Sequence, residues 1–413
     1  MMERKLKSLV EFAYENSIFY KEKYNKILDN TSVEDINFEV LPIVNKNEIC
    51  DNQFKIISQK SQREFVEKSL EKYTTSGSTG ICMDIYWSHK DSNNSLMGLW
   101  YLRNKYYNIS TKDLVCMFYA NRTIDGQELK QMKIGNCLSF SKSNLDNSRI
   151  AEIYLMIKEF KPKYMIIEPS VAILLCEYIE SNNLDKIDSI EYIELTGEFL
   201  LHNVKMKIEK VFGCKTANQY GAYEVNSIAY ECPCGNMHIM ENNVYVEVID
   251  ENGKVIENEE EGDICVTSLT NYTMPFIRYN IGDRGRICNY KCTCGNKSPI
   301  LELTNGRSND YILCENGDKI HSSIFMKVIE RINEKLRNII LQYQIHQLDY
   351  NDFLFDLVLS EEIDIQKLID AFLKSFDEER LYQLNVTFKF HDELFPNNST
   401  GKLYYFINEM SNK

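Results

Sequence analysis

The middle of the chain, from about residue 112 to 230, alternates between short apolar runs and longer runs with helical spacing. Strand-like stretches such as "DLVCMFYA", "YMIIEPS" and "IEYIELTG" are separated by helical stretches such as "AEIYLMIKEF" and "VAILLCEYIES". Because parallel strands need a crossover connection, usually a helix, this alternation predicts βαβ units. The chain is therefore expected to build a mostly parallel sheet covered by helices.

The regions on either side of residues 112–230 have a different pattern of apolar and polar residues. Residues 3–29 place apolar side chains at helical spacing and predict one helix that docks on the body. After "YGAYE" the chain reads as strands joined by turns and predicts an antiparallel β region, while its last part predicts a small α+β domain. The expected fold class is α/β (α+β multidomain), with a large N-terminal domain of mixed parallel sheets and a β region, plus a small mobile α+β C-terminal domain.

Net charge and apolar content narrow the class of partner. The 413 residues carry a formal net charge of -14 and are 44% hydrophobic. That charge disfavours binding to nucleic acid or to anionic membranes, so a small molecule is the expected partner. No apolar run approaches the roughly 20 residues that a membrane-spanning helix needs, and the N-terminal stretch has no signal-peptide core. The expected location is the cytoplasm.

The stretch "EKYTTSGSTG" concentrates hydroxyl side chains and two glycines in a few residues. Glycine permits backbone conformations that turn several N–H groups towards one point, and the hydroxyls add donors, which suits a pyrophosphate. The stretch is not a Walker P-loop, because no lysine follows its last glycine. A plain surface loop is the commoner structure for such a cluster. The candidate ligand-binding residues are Thr75, Ser76, Gly77, Ser78, Thr79 and Gly80.

Six short motifs follow one another along the chain. They are "TSGSTG", "LTGE" at 195–198, "QYGAYE" at 219–224, "RYNIGD" at 278–283, "GRSND" at 306–310 and "TGK" at 400–402. In this order they resemble the adenylate-forming (AMP-binding) enzyme superfamily. Further stretches, such as "LPIVNKNEI" and "KPKYMIIEPS", are similar to its phenylacetate–CoA ligase and coenzyme F390 synthetase branch, which includes proteins of polysaccharide gene clusters.

The resemblance implies a two-step reaction. A carboxylate attacks the α-phosphate of ATP, with Mg²⁺ present, to give an acyl-adenylate and pyrophosphate. A thiol, that of CoA or of a carrier protein, then takes the acyl group. The resemblance also implies an AMP-binding N-terminal domain over residues 1–305 and a small mobile domain over 306–413 that rotates between the two steps.

Each motif carries its family role to a residue of this chain. Lys402 matches the lysine that bridges carboxylate and α-phosphate, and Glu224 matches the glutamate associated with Mg²⁺. Asp283 would accept hydrogen bonds from the ribose hydroxyls, and Arg307 would contact ribose or phosphate at the start of the hinge. The remaining matches, expected around the adenine, are Tyr220, Gly221, Gly197 and Glu198.

The chain departs from the family pattern at two points. Relatives often continue the glycine-rich loop with Lys-Pro, whereas Ile81 and Cys82 stand here, so one positive charge near the phosphates is missing. At the hinge, Asn309 replaces the usual Asp or Lys. Because asparagine tolerates unusual backbone angles, rotation at this hinge is still expected.

Two cysteine-rich turns, "CPCGNMH" and "CTCG", offer thiolates and an imidazole, which suit tetrahedral Zn²⁺. The candidate ligands are Cys232, Cys234, His238, Cys292 and Cys294. Relatives in the resembled branch hold a metal with a Cys, a downstream His and a C-x-C pair, which matches Cys232 with His238, Cys292 and Cys294 and makes Cys234 the competitor. Four protein ligands predict a structural role. The alternative to a metal site is a pair of cysteine-containing turns that are unrelated to each other.

Three functions are compatible with the sequence. The first is an acid–thiol ligase that acts through an acyl-adenylate. The second is F390 synthetase-like transfer of AMP to a hydroxyl without CoA. The third is a catalytically silent nucleotide-binding scaffold, which the missing loop lysine and Asn309 at the hinge favour. Lys402, Asp283, Arg307 and Glu224 together favour a working enzyme, because a degenerate copy is expected to lose such residues first.

Overall fold

Two groups of elements, each with its own apolar core, make up the chain in this computed structural model. The structure describes residues 2–28, 32–75, 82–119, 123–124, 127–256, 259–307, 311–382, 384–398 and 402–412. The first unit comprises Met1–Thr111 and Ala217–Leu303, and the second comprises Lys112–Thr216 and Thr304–Lys413.

The first unit combines N-terminal helices with an antiparallel β region. Its helices are α1 (Met2–Asn16), α2 (Ile18–Leu28), α3 (Lys46–Asp51), α4 (Gln53–Ile56), α5 (Gln62–Val66) and α6 (His89–Tyr107). Its strands are β1 (Glu71–Thr74), β2 (Asp84–Trp87), β10 (Lys215–Ala222), β11 (Asn226–Glu231), β12 (Met237–Ile239), β13 (Val244–Ile249), β14 (Gly262–Ser268), β15 (Tyr279–Cys288) and β16 (Ile300–Arg307). β1 and β2 pair in a separate two-stranded sheet, and the other seven strands run in the order β13-β14-β15-β16-β12-β11-β10.

Short turns let these strands pair with their neighbours in sequence, as an antiparallel sheet allows. The ladder between β13 and β14 runs from Val244 opposite Ser268 to Ile249 opposite Asp263. The apolar core beneath the sheet includes Trp87, which is 1% exposed. The predicted antiparallel region after "YGAYE" is confirmed.

The predicted N-terminal helix over residues 3–29 is wrong in one respect, because two helices replace it and meet at Ser17. The Ser17 hydroxyl donates to the Lys55 carbonyl at 3.0 Å and accepts from the Tyr20 N–H at 3.5 Å. A serine that bonds backbone groups in this way competes with the helix and starts a new one. The apolar spacing alone does not reveal this break.

The second unit contains the βαβ part of the chain. Its elements up to α9 are β3 (Val115–Tyr119), β4 (Thr123–Ile124), β5 (Gln127–Glu128), β6 (Gln131–Ile134), β7 (Cys137–Ser141), α7 (Asn147–Phe160), β8 (Tyr164–Ile167), α8 (Pro169–Ser181), β9 (Tyr192–Thr196) and α9 (His202–Phe212). The strand order is β9-β8-β3-β7-β6, and β9, β8, β3 and β7 pair in parallel. This confirms the predicted parallel sheet.

Local signals in the sequence set the bounds of the crossover helices. Asp146 caps α7 by accepting the Arg149 N–H at 2.8 Å, and Pro169 opens α8. Gly213 ends α9 with φ +64°, a left-handed conformation in which glycine is least strained. Because β7, β8 and β9 run parallel in the sheet, their C-terminal ends lie on one edge of it.

The rest of the second unit is the α+β part. It consists of β17 (Tyr311–Leu313), β18 (Lys319–His321), α10 (Ser323–Lys335), β19 (Ile340–Gln347), β20 (Asp352–Leu359), α11 (Ile365–Glu378), β21 (Asn385–His391) and β22 (Phe406–Asn408). Four of the strands form a sheet in the order β21-β20-β19-β22. The predicted α/β fold class is confirmed, while the mobility of the C-terminal domain and its boundary at residue 306 stay predictions. Among the described residues, no helix is both long and apolar enough to cross a membrane.

Candidate active site and metal centre

Tyr220 and Asp283, predicted to contact the adenine and the ribose, meet in the first unit. The Tyr220 hydroxyl donates to Asp283 Oδ2 at 2.8 Å, which joins β10 to β15. Asp283 follows Gly282, whose φ of +84° turns the strand at this point. A carboxylate has two acceptor oxygens, so Asp283 has the chemistry to accept a second hydrogen bond.

Gly221 stands at a bulge in β10, where the backbone of the neighbouring strand comes close. A Cβ atom at this position would lie 2.3 Å from the Asn226 carbonyl oxygen and 2.7 Å from Gln219 Nε2. No side chain fits there without a shift of the backbone. The glycine therefore keeps the turn after Tyr220 tight.

We expect Gly221→Ala to lower the free energy of unfolding by about 2 kcal/mol, because the added methyl group meets a backbone oxygen that has no room to move. Gly98→Ala in α6 is the control, since its Cβ would meet side-chain atoms and no backbone oxygen, namely the flexible end of Met240 at 3.1 Å and Asn243 Oδ1 at 3.9 Å. Urea unfolding compares the two variants. Equal stabilities would contradict this reading of the bulge.

Glu224, the predicted Mg²⁺-associated residue, is 6% exposed. Its Oε1 accepts from the Tyr279 hydroxyl at 3.1 Å. Burial raises the pKa of the Glu224 carboxyl, and the nearby Asp283 carboxylate raises it further, while Lys46 lowers it. A buried carboxylate beside a second acid favours a bound cation.

The raised pKa of Glu224 predicts a specific effect of Glu224→Gln. A raised folded-state pKa means that wild type loses stability as pH rises from the unfolded-state pKa of roughly 4.3 through the folded-state value. Glutamine does not titrate and still accepts from Tyr279. The variant should therefore be more stable than wild type at pH 8, with a smaller difference at pH 5. Urea unfolding at both pH values tests this, and a less stable variant at pH 8 would contradict it.

The flanks of the glycine-rich loop are held against the "YGAYE" segment. Thr75 pairs with Met83 through two hydrogen bonds of 2.9 Å, so the base of the loop is closed. Trp87 Nε1 donates to the Tyr223 carbonyl at 2.9 Å, and the Tyr223 ring stacks on Tyr73 with centroids 5.4 Å apart. The candidate residues Ser76, Gly77, Ser78, Thr79 and Gly80 lie outside the described residues.

Lys46 is a residue that the sequence reasoning missed. It begins α3, two residues after Val44, which forms a parallel bridge with Tyr279. Among the described residues its ammonium has no hydrogen-bond or ion-pair partner, and it lowers the pKa of Glu224. Nothing in "VNKNEI" distinguishes this lysine from a surface residue.

The second unit holds Gly197, Glu198 and Lys402. Glu198 Oε1 accepts a hydrogen bond from the Leu403 N–H at 3.0 Å. The Glu198 carboxylate also accepts from the Ser170 hydroxyl at 2.8 Å and from the Ser170 N–H at 2.9 Å. Burial raises the pKa of the Glu198 carboxyl, which the Leu403 and Ser170 donors oppose. The "LTGE" motif is thus tied directly to the residue next to Lys402.

The segment that carries Lys402 has further anchors on the second unit. Asn397 N–H donates to the Lys402 carbonyl at 2.9 Å, and Ser143 Oγ donates to the Asn398 carbonyl at 3.2 Å. The Tyr405 hydroxyl donates to the Phe199 carbonyl at 3.0 Å. These contacts hold both flanks of Lys402 at the ends of the parallel strands. Arg307 closes β16, and its side chain lies outside the part of the chain that the structure describes.

Four of the five predicted metal ligands converge in the first unit. The ligand atoms of Cys232, His238, Cys292 and Cys294 all lie within 4.8 Å of one another. Cys232 Sγ is 3.7 Å from Cys292 Sγ, and Cys294 Sγ is 3.3 Å from His238 Nε2. The fifth candidate, Cys234, is exposed, and its sulfur lies 3.3 Å from Thr293 Oγ1.

The donor set fits zinc. Thiolates at about 2.3 Å from a tetrahedral centre lie about 3.8 Å apart, close to the spacing of Cys232 and Cys292. His238 Nδ1 lies 2.9 Å from the Ser298 carbonyl, which fixes the tautomer that turns Nε2 towards the centre. The Asn236 amide donates to Cys292 Sγ at 3.1 Å, as a partner of a bound thiolate would.

The two paired thiols have opposite pKa shifts. The Cys294 backbone N–H lowers the pKa of Cys292 to about 6. Burial raises the pKa of Cys232 to about 12. Metal binding to these ligands therefore releases at least one proton and weakens as pH falls.

Sequence comparisons find relatives but no matching family model. Protein CapK of Staphylococcus aureus is 24% identical over 421 residues, covering 99% of this chain and 89% of CapK. The phenylacetate-coenzyme A ligase of Thermus thermophilus is 25% identical over 197 residues, covering 46% of this chain and 43% of the ligase. The chain thus spans less than half the length of the phenylacetate-coenzyme A ligase it matches.

Solved structures agree on the fold. A crystal structure of 2-hydroxyisobutyryl-CoA ligase in the postadenylation state, in complex with 2-HIB-AMP, has a TM-score of 0.75 to this chain at 16% identity. The match covers 99% of this chain and 89% of that one. This similarity confirms the predicted α/β multidomain fold.

Proposed function

We propose that this member of the adenylate-forming superfamily, on its phenylacetate–CoA ligase-like branch, activates a carboxylic acid with ATP and passes the acyl group to a thiol. One carboxylate oxygen attacks the α-phosphorus, and the bond from that phosphorus to the β-bridging oxygen breaks to release pyrophosphate. A thiol then attacks the acyl carbon, and AMP leaves with the carboxylate oxygen.

One observation carries this proposal. The residue next to Lys402 donates to Glu198 of the "LTGE" motif at 3.0 Å, so two motifs far apart in sequence lie together in the fold. A solvated surface lysine does not need neighbours that are held in this way. The contact supports Lys402 as the cation that draws the carboxylate and the α-phosphate together.

The first unit supplies the nucleotide contacts in this proposal. Asp283 accepts from the ribose hydroxyls, and Tyr220, which orients Asp283, packs on the adenine. Glu224 holds Mg²⁺, which would neutralise phosphate charge. Lys46, beside Glu224, supplies positive charge near the phosphates, where the chain has Ile81 and Cys82 instead of Lys-Pro. Arg307 is proposed to contact ribose or phosphate.

The remaining assignments concern the acceptor and the metal. CoA is the proposed acceptor thiol, and the phosphopantetheine thiol of a carrier protein is the variant. Zinc at Cys232, His238, Cys292 and Cys294 is proposed as structural, since four protein ligands leave no open position. It would fix β11, which follows the "YGAYE" turn, relative to the end of β15, which carries Asp283. A cytoplasmic location remains part of the proposal.

The test uses purified protein, ATP and a panel of carboxylic acids. Acid-dependent pyrophosphate release, with the activated acyl group trapped by hydroxylamine, is the expected result. Release of AMP should then depend on CoA or on a carrier protein. AMP attached to a hydroxyl compound without CoA would favour F390 synthetase-like transfer, and ATP binding without release for any acid would favour a silent scaffold.

A further inference from the structure

Three ionisable side chains stand at the C-terminal ends of three parallel strands in the second unit. Lys142 directly follows β7, Glu168 directly follows β8, and Glu198 lies just beyond β9. In open parallel sheets, ligands bind outside the carboxyl ends of the strands. These residues are therefore placed where a ligand of the second unit is expected.

Lys142 and Glu168 form a buried ion pair. Lys142 is 5% exposed and Glu168 is 8% exposed, and Lys142 Nζ contacts Glu168 Oε1. The other carboxylate oxygen, Glu168 Oε2, is buried and has no hydrogen-bond partner among the described residues. A buried acceptor without a donor is costly, so a structural ion pair is expected to satisfy both oxygens. The free oxygen points to a ligand that supplies the donor.

The ion pair lies beside the segment that carries Lys402. Ser143, next to Lys142, donates to the Asn398 carbonyl at 3.2 Å. Glu168 packs against the "LTGE" turn, since a Cβ on Gly197 would lie 3.3 Å from Glu168 Cγ. Glu198, which follows Gly197, accepts the Leu403 N–H. If Lys402 binds the substrate carboxylate, the atoms next to that carboxylate approach Lys142 and Glu168.

We propose that the acid activated by this chain carries a hydroxyl or ammonium donor close to its carboxylate, and that Lys142 and Glu168 recognise it. This inference rests on the proposed function. The Glu168 oxygen accepts from the donor, and the Lys142 ammonium donates to a hydroxyl oxygen or to the carboxylate. A site built to hydrogen-bond such a group rejects the analogue that lacks it, because its buried polar groups are left unpaired.

An aromatic acid fits these surroundings poorly. Pockets for apolar rings are lined by apolar and aromatic side chains. Phe118, an aromatic residue near the end of β3, is 9% exposed and packs on Phe140 in the core with ring centroids 5.6 Å apart. It is therefore used by the core, while the strand ends carry charges.

The first experiment measures acid-dependent exchange of pyrophosphate into ATP. The acids are propionate, lactate, alanine, 3-hydroxypropionate, β-alanine, gluconate, galacturonate and phenylacetate. We expect at least a tenfold higher kcat/KM for a donor-bearing acid than for propionate or phenylacetate. A preference for propionate or phenylacetate would overturn this inference and leave the proposed function standing. Silence with every acid would overturn the proposed function, and this inference with it.

The second experiment tests the ion pair. Lys142→Met combined with Glu168→Leu should lower the preference for the donor-bearing acid over propionate at least tenfold, because the substrate donor then loses its acceptor. If the double variant does not fold, Glu168→Gln takes its place. This variant keeps the shape of the side chain and should shift the same ratio. The control pair is Lys207→Met with Glu177→Leu, an ion pair between α9 and α8 of the same unit. An unchanged ratio in folded Glu168 variants would overturn the inference.

Discussion

Lys402→Ala is expected to lower acid-dependent pyrophosphate exchange on the order of 100- to 1,000-fold, while ATP binding stays close to that of wild type. The lysine is proposed to act when two anions, the carboxylate and the α-phosphate, are brought together. Its loss therefore weakens the adenylation step more than the binding of nucleotide. The anchors of its segment on Ser143 and Glu198 are backbone contacts of neighbouring residues and survive the substitution.

Lys389→Ala is the matched control, because Lys389 is an exposed lysine of β21 in the same unit. It should exchange pyrophosphate at the wild-type rate. A second check uses a chemically prepared acyl-adenylate with CoA, where Lys402→Ala should retain most of the thioester-forming activity. If Lys402→Ala exchanges pyrophosphate like wild type, Lys402 is not the adenylation lysine.

Loss of the metal centre should have the largest effect on stability. We expect Cys292→Ser to lower the free energy of unfolding by about 3 kcal/mol or more and to abolish stoichiometric zinc in protein purified without added metal. Cys292 is the ligand with the most hydrogen-bonded thiolate, held by Asn236 and by the Cys294 N–H. Its removal leaves the remaining ligands without a tetrahedral set.

Cys234→Ser is the control for the metal prediction. It removes a cysteine from the same "CPCG" turn, but one whose sulfur faces Thr293 and not the four-ligand cluster. Zinc content and urea unfolding of this variant should match wild type. Loss of zinc in Cys234→Ser, or full zinc in Cys292→Ser, would contradict the ligand set.

Much of the fold was predictable because its signals are local. Apolar strands alternating with helical runs predicted the parallel sheet, and turn residues after "YGAYE" predicted the antiparallel one. The break at Ser17 was missed because its cause is a hydrogen bond to Lys55, which periodicity does not report. Element type therefore follows from patterns, while element ends depend on tertiary contacts.

The residues of the candidate site were also predictable only in part. The sequence motifs predicted Tyr220, Asp283 and Glu224 as site residues. The structure brings Tyr220 into contact with Asp283. Lys46 was missed, because its effect on the pKa of Glu224 depends on tertiary structure, such as the bridge between Val44 and Tyr279, which the sequence does not show. The roles of these residues stay predictions.

Two further details needed three-dimensional information. The spacing in "CPCG" makes both sulfurs plausible ligands, and the direction in which Cys234 points depends on how the turn packs on Thr293. The pairing of Lys142 with Glu168 depends on the strand order β8-β3-β7, in which β7 and β8, although consecutive along the chain, flank β3 and end on the same edge of the sheet.

The central claim, an acyl-adenylate formed from a carboxylic acid, is tested most directly by isotope transfer. The acid that supports the fastest pyrophosphate exchange is prepared with ¹⁸O in its carboxylate and incubated with ATP, CoA and the protein. Because one carboxylate oxygen becomes the bridge to phosphorus, the account predicts AMP that carries one ¹⁸O atom. AMP without ¹⁸O, formed while the thioester accumulates, would contradict it.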